Sequence, residues 1–114
     1  MKHFVLIVAA IATLSAMLVS AQTQAKRTLT GVITDSDCPT GDHTQMQMGP
    51  DNASCTIACV EQHGDTYLLY DGKSSFNLSD QKMPKAFAGK RATITGTLDA
   101  KTNTIKVESI TAAK

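Results

Sequence analysis

The sequence predicts a small, mainly β domain carried behind an export signal. Three observations point there. Short runs rich in β-branched residues recur from residue 28 onward, apolar or small residues alternate with threonines over residues 92–98, and Asp-Gly or similar turn chemistry separates neighbouring runs.

The first residues account for the export signal. Lys2 and His3 precede an apolar stretch over residues 4–19, which ends in the small residues Val19-Ser20-Ala21. That is the layout of a signal peptide, with cleavage expected after Ala21 or, alternatively, after Ala25. Thr13 and Ser15 interrupt the apolar run, which falls short of the roughly 20 residues that span a bilayer, so no stable membrane insertion is expected after cleavage. No cysteine follows either site, which argues against a lipid anchor. The expected product is exported to the periplasm or the medium. Residues 22–27 read as a disordered leader and residues 28–114 as one domain.

Residues 28–34 form the first expected strand, closed by Asp35-Ser36-Asp37. Residues 38–52 contain Pro39, Gly41 and Pro50 and show no period, so a loop of about fifteen residues follows. Asp51 or Ser54 can cap a short helix running through Ala58 and Val60 and stopping at Gly64. Residues 66–70 and 75–78 flank Asp71-Gly72 and read as a hairpin. Residues 83–89 suggest one helical turn with Phe87 as its core plug. Residues 92–98 and the alternation from Ile105 through Val107 to Ile110 supply the last two strands.

A helical turn between the third and fourth of five antiparallel-type strands is the connectivity of an OB-like barrel, here with a helix inserted after strand 1. An SH3-like small barrel is the alternative, and Gly31 and Gly96 would suit the tight bends of either.

Charge narrows the partners. Lys2 is the one lysine, arginine or carboxylate residue in the first 21 positions, so the remaining 93 residues carry ten basic and ten acidic side chains. Neither a basic groove nor a lysine run is present, which excludes nucleic acid and an anionic membrane surface as expected partners. Tyr67, Tyr70 and Phe76 lie on the hairpin where an OB-fold presents bases, but without surrounding cations they read as packing. A monomer that binds a metal ion or an unknown small ligand remains.

One constellation could carry chemistry: Cys38-x4-His43-x11-Cys55-x3-Cys59. Three sulfurs and an imidazole within 22 residues could close a tetrahedral site for zinc or copper. Met46 and Met48 add thioethers that favour copper, and His63, one turn beyond Cys59, is a spare ligand. A structural disulfide competes with this reading, because small exported domains gain from crosslinks. Cβ atoms on successive helical turns lie about 5–6 Å apart, too far for a bridge between Cys55 and Cys59, so Cys38 would pair with one of them. Closing a loop of roughly twenty residues would contribute about 3 kcal/mol and leave one thiol over. That odd thiol admits a third reading, thiol-disulfide exchange. No catalytic motif flanks any cysteine, and no enzymatic activity is expected. Asp35, Asp37, Asp42 and Asp51 form an acidic rim that could bind a hard cation such as calcium, but EF-hand spacing is absent and turn and cap duties explain these residues more cheaply.

The segments TGVITDSDC over residues 30–38, His43, CTIACV over residues 55–60, and FAGK over residues 87–90 leading into TITGT over residues 93–97 resemble a family of short exported bacterial proteins of unknown function. The resemblance spans nearly all of the chain after its signal. It implies kinship with periplasmic bacterial OB-fold proteins and marks Cys38, His43, Cys55 and Cys59, without implying an activity, substrate or cofactor.

Overall fold

The computed structural model describes residues 25–114; the signal-peptide reading and residues 22–24 of the expected leader lie outside the described residues. The elements run β1 (Lys26–Asp35), α1 (Asn52–His63), β2 (Tyr67–Tyr70), β3 (Ser75–Leu78), a 3-10 turn (Met83–Phe87), β4 (Arg91–Asp99) and β5 (Thr104–Ala112). The strands close into a barrel in the order β1-β2-β3-β5-β4. All neighbours are antiparallel except β3 and β5, which meet in parallel through Asn77↔Thr104 and Leu78↔Ile105. This is the OB-like path expected from the sequence, with the inserted helix after strand 1 and the helical turn between strands 3 and 4.

Closure depends on β1 serving two partners. Its first half pairs with β4, its second half with β2, and Val32 pairs with both Arg91 and Tyr70. Gly31 sits where the strand changes partners; a Cβ there would lie 2.1 Å from the Tyr70 carbonyl oxygen. Only glycine lets the two backbones approach this closely. Gly96 marks the matching irregularity on β4, where the register with β5 shifts.

One boundary expectation is corrected. Lys26 and Arg27 belong to β1, paired with Thr97 and Gly96, and not to a disordered leader. Both side chains are exposed, so their strand character rests on backbone pairing and leaves no hydrophobic signal in the sequence. In the 3-10 turn the fully buried residue is Pro84, whereas Phe87 is only partly buried against the core.

Inside the barrel Ile33, Leu69, Ile94 and Ile105 are completely buried, with Tyr67 and Leu78 beside them. Each such aliphatic side chain contributes roughly 1.5–3 kcal/mol of transfer free energy. Helix α1 packs across the end of β1. Asp51 is its N-cap: its carboxylate accepts the Ser54 amide at 2.8 Å while the Ser54 hydroxyl accepts the Asp51 amide at 3.3 Å. Gly64 ends the helix in the left-handed region, with φ of 74°. Among the described residues no helix is long and apolar enough to cross a membrane.

Candidate metal centre

The centre is built on Asp35, the last residue of β1. Period two places Asp35 on the same face as Ile33, so the strand carries its carboxylate inward, and it is completely buried. A buried carboxylate needs partners. One oxygen accepts the Cys38 amide at 2.9 Å, and the other lies 2.7 Å from His43 Nε2. The Thr34 hydroxyl donates to the Cys38 carbonyl at 2.6 Å. The long loop after β1 is thus tied down at its start by β1 itself.

Helix α1 grips the imidazole from the other side. Asn52 Oδ1 lies 3.3 Å from His43 Nδ1, and Thr56 Oγ1 lies 3.4 Å from Nε2. The ring is 5% exposed. It also lines a cavity of about 360 Å³ shared with Gly41, Gly49, Asn52 and Cys55.

Asp35 belongs to two groups of potential ligands. In one, atoms of Asp35, Cys38 and His43 all lie within 4.8 Å of one another; in the other, Asp35, Cys59 and Asp65 do. Cys59 reaches Asp35 from the second turn of α1. Asp65 is brought in by the pairing of Ser36 with Thr66, whose amides and oxygens exchange bonds of 3.0 and 3.1 Å just past the end of the β1–β2 ladder. This buried Asp/Cys/His group could hold a metal ion.

The electrostatics of the centre are acidic. Burial, then the charges of Asp35, Asp37, Asp42 and Asp65, raise the Cys38 thiol above its ordinary range. Burial first, then the charges of Asp35 and Asp65, push Cys59 up to about 12. Burial and then the neighbouring Asp37 carboxyl raise Asp65. All three cysteines are free and buried, so the bridge expected from Cys38 is not formed. At Cys38 and Cys59, burial and the raised pKa disfavour the accessible thiolate that exchange chemistry needs.

Of the residues singled out in the sequence, Cys38, His43 and Cys59 meet at Asp35. Cys55 does not belong to either group. It is buried four residues before Cys59, about 6 Å along the axis, and its thiol donates to the Gly49 carbonyl at 3.3 Å. His63 is exposed at the end of α1, also outside both groups. Met46 is 38% exposed and Met48 is half-buried on the loop. Asp42 and Asp51 perform the turn and cap duties read for them, accepting the amides of Thr44 and Ser54.

Asp65 was missed in the sequence, and Asp35 was read there only as one of an acidic series with turn duties. The signal for Asp35 was available: it continues the inward alternation of Gly31 and Ile33. The signal for Asp65 was not, because its place depends on a pairing thirty residues away in sequence. Comparison with protein-family models, with curated proteins and with solved structures returned no match.

Proposed function

We propose that this chain is a zinc-binding OB-type domain of the cell envelope, with the ion held by Asp35, Cys38 and His43. The observation that carries the reading is the burial of a carboxylate, a thiol and an imidazole together at ligand distance. Zinc takes all three donor types, at about 2.0–2.3 Å, and tolerates a mixed set. Copper(I) prefers an all-soft set, and a carboxylate at the middle of the cluster disfavours it. The envelope location rests on the N-terminal sequence, which has the layout of an export signal.

Binding asks for a small local change. His43 Nε2 and the Asp35 oxygen stand 2.7 Å apart, whereas two ligand atoms on one tetrahedral zinc are about 3.3 Å apart. The imidazole must withdraw slightly from Asp35 and the thiol must lose its proton. Three protein ligands leave a fourth position for water or a small exogenous ligand.

The test is zinc binding to metal-free protein in competition with a chelator. Cys38→Ser and His43→Ala each weaken binding at this site by at least about a hundredfold, more than loss of an outer partner would. Cys55→Ser and Met46→Leu bind as the unaltered protein does. Equal affinity across all four variants would overturn the reading.

A further inference from the structure

We propose a second divalent-cation position, formed by Asp35, Cys59 and Asp65 on the other side of the shared Asp35 carboxylate. These ligand atoms lie within 4.8 Å of one another, in a group that contains neither Cys38 nor His43. Asp35 and Cys59 are both completely buried.

An independent observation at Asp65 points to a ligand. Asp65 is partly buried and its carboxyl shares hydrogen bonds with the Asp37 and Ser36 side chains, yet its Oδ2 is itself buried and has no hydrogen-bond partner. An orphaned carboxylate oxygen costs the full desolvation of the group unless an ion or water satisfies it. An ion on Asp35, Cys38 and His43 leaves this oxygen as it is, since Asp65 is outside that group.

Charge supports the same conclusion. Asp35, Asp37 and Asp65 cluster here, and among the described residues no lysine or arginine forms an ion pair with any of them. The His43 imidazole meets only Asp35 of the three, and it belongs to the first group. Two carboxylates and one thiolate would carry three negative charges toward a divalent cation. That donor set suits zinc or a similar borderline ion, with harder character than the first position. Asp35 would then bridge the two ions, one on each side, as carboxylates do in two-metal sites.

This second position shares Asp35 with the proposed zinc site but is tested separately from it. Metal-free protein is titrated with zinc, and ions per chain are counted by native mass spectrometry, with thermal melts confirming that each variant folds. The unaltered protein takes up two ions, Asp65→Asn and Cys59→Ser each take up one, and His43→Ala takes up one. A single ion that is lost in His43→Ala and kept in Asp65→Asn would overturn the second position and leave the first intact. A single ion with the opposite dependence would overturn the first and keep the second. No uptake would overturn both.

Discussion

The Asp35 carboxylate is completely buried, and its two oxygens serve different masters: one fixes the Cys38 amide, the other faces the His43 imidazole. Removing it strands a histidine and an amide in a dry site. Leaving a buried polar group without its partner costs about 1–3 kcal/mol, so Asp35→Ala is expected to lose at least that much in urea unfolding, and to lose zinc as well. A loss below about 1 kcal/mol would mean that the pair contributes nothing net to the fold. Thr34→Val removes only the hydroxyl bond to the Cys38 carbonyl and should cost about 1 kcal/mol in the same assay. At this scale the sequence was half legible. Cys38, His43 and Cys59 stood out by residue type and spacing. Asp35 did not, because an aspartate at the end of a strand reads as turn chemistry unless the inward alternation through Gly31 and Ile33 is followed one residue pair further.

Helix α1 was legible as an element and opaque in its facing. The Asp51 cap and the Gly64 stop could be read directly, because both act through local backbone groups. That Cys55 turns toward Gly49 while Cys59 turns toward Asp35 and Asp65 could not, because a shared helix face does not say what lies against each turn of it. The cap also sets a pH dependence. The Ser54 amide and then its hydroxyl hold the Asp51 carboxyl below its ordinary range. A depressed carboxyl gives stability that is complete above its unfolded pKa, near 3.9, and is lost as pH falls through the lower folded value. Asp71 and Asp80, held down in the same way by turn amides, add to this acid-side loss. Melting temperature should therefore fall below about pH 4, and Asp51→Ala should start lower at neutral pH and show a shallower acid slope. An unchanged slope in that variant would remove Asp51 from the explanation.

The whole barrel was the most legible level. The Asp71-Gly72 hairpin, the threonine alternation of β4 and the place of the helical turn all follow from local rules, and of the two small barrels these left open the strands close in the OB-like order. What the sequence did not show was the price of closure at one point, the contact of Gly31 with the Tyr70 carbonyl. Gly31→Ala forces the two strands apart where β1 changes partners, and overpacking of this kind costs about 1–3 kcal/mol. The expected result is a lower urea midpoint and faster exchange of the β1–β2 amides. A variant as stable as the parent would mean that β1 can bend elsewhere. The OB-like frame thereby places a rigid strand end, a tied loop and a capped helix around one carboxylate. The central claim is that this carboxylate organises a mixed-donor zinc site. X-ray absorption at the zinc edge, on zinc-loaded protein, tests it most directly. The account predicts a shell of oxygen and nitrogen at about 2.0–2.1 Å with one sulfur per ion at about 2.3 Å. A shell of three sulfurs, which would require Cys38, Cys55 and Cys59 on one ion, would contradict it, as would a protein that retains no zinc at all.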